Sequence, residues 1–174
     1  MKIALYKIED SYISELHKLD DKVLYNKDNK RPYIGVIVII SEHHYYIPLG
    51  SVKYNNDNKI KKLNTQITIN LPDKMGYIKF NNMIPVPLEK AKKVIIKEEE
   101  DKAYRRLLEN QYEYIKNYQA KIEKKANKVR VLDEKTKIHH LLVDFEKLEK
   151  HCEEYNSNQK EDENYDSNDS EMEM

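Results

Sequence analysis

Cysteine occurs once in 174 residues, at Cys152. No internal disulfide can form, and a four-cysteine zinc site is excluded. Tryptophan is absent and phenylalanine occurs twice, whereas tyrosine occurs 14 times. The aromatic surface is therefore almost entirely phenolic, and many of its rings must reach a polar boundary or a hydrogen-bond partner. There is no HExxH, no GxSxG, no glycine-rich phosphate loop and no paired-carboxylate motif. No apolar run approaches the roughly 20 residues of a membrane span. The opening MKIALYKIEDSY turns acidic too soon for a signal peptide. These absences point to a soluble cytoplasmic protein.

Net charge is also missing, with 31 basic residues against 31 acidic. The balance hides an asymmetry. Asn156–Met174 holds seven acids and one base, leaving Met1–Tyr155 with 30 bases and 24 acids. The body is basic, which favours a polyanionic partner, or else is a lysine-rich solvated surface. The acidic end has few apolar residues and is expected to be a disordered tail (156–174) that aids solubility, beyond a single domain spanning 1–155.

Hydrophobic periodicity divides the body in two. Lys2–Ile8 reads as a strand. DSYISELHKLDDKV follows as a helix, with Ile13, Leu16 and Leu19 at helical spacing and Ser11 as its N-cap. The β-branched run Tyr33–Ile40 and the segment YYIPLG read as a hairpin turned at SEHH. TQITINL, YIKF and the proline-limited MIPVP read as further strands. From Glu98 the period changes to one long amphipathic helix, broken near Asn127. KIHHLLVDFEKLEKHCEEY reads as a second helix facing inwards through Leu141, Leu142, Phe145 and Leu148. The fold class is α+β, an antiparallel sheet that curls or closes into a barrel, with one inserted helix and helices at the end.

His43–His44 and His139–His140 are adjacent pairs, poor chelates with no third ligand at useful spacing, so no metal is expected. Cys152 lies in the charged end of a helix with nothing to activate it. One constellation remains. Arg31 precedes the strand that begins at Tyr33, and Ser51 and Lys53 follow the strand that ends near Leu49. Pairing of those strands brings two cations and a hydroxyl to one sheet end, a site for a phosphodiester. The same residues also read as the ordinary solvated base of a hairpin. The loop SVKYNNDNKIKKLN beyond it is polar and basic, and tyrosines beside such a loop can stack bases.

Five stretches, DSYISELHKLDDKV, RPYIGVIV, HHYYIPLGSVK, GYIKFNNMIPV and AYRRLLENQYEYI, stand in order over Lys2–Lys150. Together they resemble the ToxN/AbiQ-type toxins of bacterial type III toxin–antitoxin and abortive-infection systems. That resemblance implies a compact sheet related to the Kid/MazF-type toxins. It implies a metal-independent, cofactor-free endoribonuclease that cuts single-stranded, A-rich RNA to a 2′,3′-cyclic phosphate and a 5′-hydroxyl. Its partners would be target RNA and a repeated antitoxin RNA, cut by the toxin into pseudoknots and joined with it in closed cyclic assemblies, with no DNA or membrane partner. Carried over position by position, the stretch PL-x-S-x-K assigns catalysis to Ser51 and Lys53, joined by Arg31 and by Tyr12 at the start of the first helix. Lys53 and Arg31 would take the phosphorane charge, Ser51 would position the 2′-hydroxyl or the phosphate, and Tyr12 would bond or stack beside it. Tyr33, Gly50, Tyr54, Lys59, Lys61 and Lys62 would contact RNA. Gly50 departs from relatives that carry threonine there. A non-catalytic RNA-binding module on the same scaffold is the alternative, and a protein-interaction domain built on the helical pair is a third.

Overall fold

The computed structural model describes residues 4–25, 33–40, 42–50, 68–70, 76–132 and 134–169, with the backbone alone for 34–40, 68–70 and 159–169. Seven strands form its sheet: β1 Ala4–Ile8, β2 Tyr33–Ile40, β3 His43–Gly50, β4 Thr68–Asn70, β5 Tyr77–Lys79, β6 Ile84–Pro85 and β7 Ala91–Lys93. The helices are α1 Asp10–Leu19, α2 Lys102–Asn117, α3 Gln119–Arg130 and α4 Phe145–Asp169. None of the described helices is long and apolar enough to cross a membrane.

The hairpin of β2 and β3 is the centre of the fold, as the β-branched run predicts. Its register pairs Tyr33 with Pro48 and Ile40 with His43, with a shift between Ile34 and Val38. Glu42 turns it at φ 70°, a left-handed conformation uncommon for a residue with a Cβ. β3 then divides its other edge. Tyr45 and Tyr46 pair with β6, and Leu49 and Gly50 pair with β5. The sheet runs β4-β5-β3-β2-β1-β7, antiparallel at each pairing. Among the described residues the end strands β4 and β7 do not pair with each other, so the sheet is open and the expected barrel closure is not seen.

Four boundaries differ from their sequence expectations. Ser11 does not cap α1. The N-cap is Glu9, and Ser11 lies inside the first turn, its hydroxyl donating to Glu9 Oε1 at 2.7 Å. The long helix breaks at Tyr118 rather than near Asn127. Tyr118 leaves helical geometry at φ −110°, ψ 18°, while Asn127 stays within α3, its side-chain amide donating to the Glu123 carbonyl at 2.9 Å. The last helix does not begin among the histidines, where His139–Leu141 form a 3-10 turn. It begins at Phe145 because the Asp144 carboxylate accepts the Lys147 amide at 3.1 Å and the Asp144 amide is itself held by Asp20 Oδ2 at 2.6 Å. α4 then continues to Asp169, past Tyr155.

A single core lies between the sheet and the helices. Leu5, Ile8, Leu16, Tyr46, Ile47, Phe80, Ile115, Ile122 and Leu148 are each at most 1% exposed. Complete burial of a side chain of this size stabilises by about 1.5–3 kcal/mol relative to leaving it in water.

Candidate active site

The described part of β3 ends at Gly50, and Ser51 is the next residue of the chain. Two neighbours hold that strand end. Pro48 is opposite Tyr33, two residues after Arg31, and Gly50 is opposite Tyr77 of β5. Arg31, Ser51, Lys53, Tyr54, Lys59, Lys61 and Lys62 lie outside the described residues.

Among the described residues, the cation of Lys79 reaches this strand end. Lys79 shares a sheet face with Tyr77 by the period-two rule, and its side chain runs back across Gly50. A Cβ built on Gly50 would collide with Lys79 Cε and stand 3.3 Å from its ammonium nitrogen. The missing side chain at Gly50 is what lets Lys79 lie over the end of β3. Sequence pattern alone could not find Lys79, because only the β3–β5 register sets it beside Gly50.

The two candidate tyrosines are placed differently. Tyr12 is 0% exposed, and its hydroxyl donates to the Pro85 carbonyl at 3.3 Å. Its ring packs 5.8 Å from both His151 and Tyr155. Burial drives its phenol far above the ordinary tyrosine range, and neighbouring Cys152 adds to the shift. Pro85 is opposite Tyr45, five residues before Gly50 on β3, or about 17 Å at the usual strand rise. Tyr12 is therefore not brought to the strand end that carries Gly50. Tyr33 is brought there, but it is 1% exposed with its hydroxyl donating to the Leu24 carbonyl at 3.4 Å. A ring so enclosed presents no face to a base.

A second polar constellation appears in the interior. Glu149 of α4, 8% exposed, receives Arg130 Nε at 2.8 Å on Oε1 and Arg130 Nη2 at 2.5 Å on Oε2. The Tyr45 hydroxyl also donates to Oε1. Arg130 lies 5.5 Å over the Phe145 ring. Burial alone would raise the Glu149 carboxyl, but Arg130 and Tyr45 outweigh it and hold it below its usual range. Both carboxylate oxygens carry charged donors, so this cluster clamps β3, α3 and α4 together. Cys152, nearby and buried, has its thiol pushed up to about 11 by burial and is poorly suited to act as a nucleophile.

The family model for "Toxin ToxN, type III toxin-antitoxin system" matches residues 4–153. The endoribonuclease ToxN of Bacillus thuringiensis subsp. kurstaki is 35% identical over 166 residues, covering 86% of this chain and 82% of that protein. A solved structure from work on selective toxin inhibition by a non-coding RNA pseudoknot in bacterial type III systems superposes with a TM-score of 0.78 at 32% identity. It covers 90% of this chain and 99% of its own. The structure of AbiQ, a lactococcal anti-phage endoribonuclease, also superposes at 0.78, with 26% identity over 90% of this chain and 99% of that one. A match over nearly the whole body, in sequence and in fold, is decisive: the chain belongs to the ToxN family of type III toxin–antitoxin toxins.

Proposed function

We propose that the chain is an endoribonuclease toxin that cuts single-stranded, A-rich RNA at the strand end after Gly50, without a metal. The observation that carries this reading is the convergence at Gly50. There the stretch that continues into Ser51 and Lys53, the strand that follows Arg31, and the Lys79 side chain meet. In the reaction, the RNA 2′-oxygen bonds to the adjacent phosphorus and the bond from phosphorus to the 5′-oxygen breaks. The 2′-proton leaves to a base and the 5′-oxygen gains a proton. The products are a 2′,3′-cyclic phosphate and a 5′-hydroxyl. Lys53 and Arg31 bear the phosphorane charge with Lys79 beside them, and Ser51 positions the 2′-hydroxyl. Tyr12 serves as a positioning residue that pins α1 to β6 and α4, as its burial supports. The RNA partners are the target and a repeated pseudoknot antitoxin, which the toxin cuts from its precursor and joins in a closed assembly, and the biological outcome is abortive infection. The test is incubation of the purified chain with A-rich RNA in EDTA. Fragments ending in 2′,3′-cyclic phosphate are expected, and intact RNA would instead favour a non-catalytic RNA-binding module.

Lys79 makes this reading testable in a second way. Gly50→Ala must shift the end of the flexible Lys79 side chain, whose Cε the new methyl would overlap, and the ammonium moves with it. Folding stability should change by under about 1 kcal/mol. Cleavage should fall by about tenfold, as it should in Lys79→Met. The two substitutions disturb one contact, so the double variant should lose little more than either alone. Fully additive losses in single-turnover cleavage would separate Lys79 from Gly50.

A further inference from the structure

The α3 helix carries five bases and one acid, Glu123. Arg130 is engaged by Glu149. Lys121, Lys124, Lys125 and Lys128 recur at i, i+3, i+4 and i+7, which sets them on one side of the helix. They line a groove of about 580 Å³, and Leu132 and Ile138 contribute to its apolar wall. Among the described residues, Lys121, Lys124 and Lys128 take part in no ion pair, and the Glu123 carboxylate accepts the Gln119 amide at 2.7 Å. Burial and the neighbouring ammoniums of Lys121 and Lys128 lower the Lys125 value, as a cluster of like charges does.

Aromatic surface continues this basic face. Tyr118, at the break between α2 and α3, is 43% exposed. It stacks on Tyr114 with centroids 4.5 Å apart and planes at 30°, and Lys121 Nζ stands 5.8 Å from its ring. At the other edge, Lys125 Nζ lies 6.0 Å over the Phe80 ring. Phe80 directly follows Lys79, the lysine that crosses Gly50. Phe80 is itself buried, so its ring closes this edge of the groove against the core.

We propose that this α3 face is an RNA-contact surface apart from the end of β3 that holds a single-stranded segment, its phosphates on Lys121, Lys124 and Lys128 and one base stacked on Tyr118. The inference rests on RNA being this chain's ligand. Aromatic stacking selects a single strand, because the bases of a duplex already cover one another's faces. Lys121, Lys124 and Lys128, which enter no ion pair among the described residues, supply the sequence-independent part of the attraction. Stacking on the already paired Tyr114–Tyr118 rings requires little reordering of the protein.

The probe is a fluorescent 2′-O-methyl oligoadenylate of about 12 nucleotides, which keeps its bases and phosphates but has no nucleophile. Binding to the full chain is followed by anisotropy across a salt series. Changing Lys121, Lys124 and Lys128 together to Gln should lower the salt slope by about 2 and weaken binding by tenfold or more. Lys124→Gln alone, a change at one exposed position, should lower the slope by about 0.7 and covers the case in which the triple variant misfolds. Tyr118→Leu should weaken binding of the single strand by about tenfold while sparing a duplex of equal length. A control triple at exposed Lys97, Lys102 and Lys150 should leave the slope unchanged. An unchanged slope in a folded groove variant, or an equal drop in the control, would overturn the proposal. If the wild-type chain binds the probe through this face yet leaves ordinary RNA uncut, the catalytic reading fails and this one stands. If it cuts RNA while the groove variants bind normally, the reverse holds.

Discussion

Lys53→Met is expected to lower RNA cleavage by about two to three orders of magnitude while RNA affinity falls only a few-fold. The phosphorane carries one more negative charge than the phosphodiester from which it forms. A cation at that oxygen therefore stabilises the transition state more than the bound substrate, and removal of a single such donor typically costs about 10²–10³ in rate. Methionine keeps an unbranched stem of similar length and removes the charge. Lysine in its ordinary state, with a pKa of about 10.4, is a poor proton acceptor at neutral pH, which favours the electrostatic role. Lys53→Arg should accordingly retain a measurable part of the rate, since it keeps the charge. Ser51→Ala is expected to lose cleavage at nearly full affinity. Single-turnover rates on A-rich RNA, set beside anisotropy titrations, separate the two quantities. A Lys53→Met chain that cuts at the wild-type rate would remove this residue from the chemistry.

The second large effect is expected at Glu149, whose partner Tyr45 lies five residues before Gly50 on β3. Glu149→Ala leaves the Arg130 guanidinium and the Tyr45 hydroxyl facing a space that held their shared acceptor. Orphaning one member of a buried ion pair costs about 3–5 kcal/mol. At a typical 2–4 °C per kcal/mol for a chain of this size, Tm should fall by roughly 6–20 °C. Replacing both partners, as Arg130→Met with Glu149→Leu, should recover most of that loss, because no charge is then left buried alone. The same carboxylate gives wild-type stability an acid limb. Arg130 and Tyr45 hold it below its usual range against the opposing effect of burial. Its contribution is therefore complete above the unfolded value of about 4.3 and is lost as pH falls through the lower folded value. Below about pH 4 the wild-type Tm should fall more steeply than that of the double variant. Parallel Tm curves across that range would show that Glu149 is not the linked group.

Periodicity resolved the elements that are held by their own sequence. The β-branched run Tyr33–Ile40, the alternating strands and the amphipathic stretches each bury a face set by local spacing, and each is found in the structure. Ala91–Lys93 carries no strand pattern and is a strand only because β1 offers it an edge. The break at Tyr118 was also hidden, since tyrosine is tolerated within helices and the residues around it keep an unbroken apolar stripe. At the candidate site, Ser51, Lys53 and Arg31 are an expectation of the sequence and of its family resemblance, and they lie outside the described residues. The burial of Tyr12 and Tyr33 was not legible, since a phenol that fills a core and one that stacks a base are the same letter.

The sequence by itself determined the α+β class, the central hairpin and the short stretch that ends β3, because these depend on residue type and on spacing within a few positions. Only the tertiary structure decided that Lys79 crosses Gly50, that Tyr12 lies beneath α4, and that Tyr45 meets Glu149 across 104 residues of chain. The reason is physical. Secondary structure is biased by neighbours along the chain, whereas a buried contact forms where distant apolar surfaces close together, and no local pattern records which partner will be there.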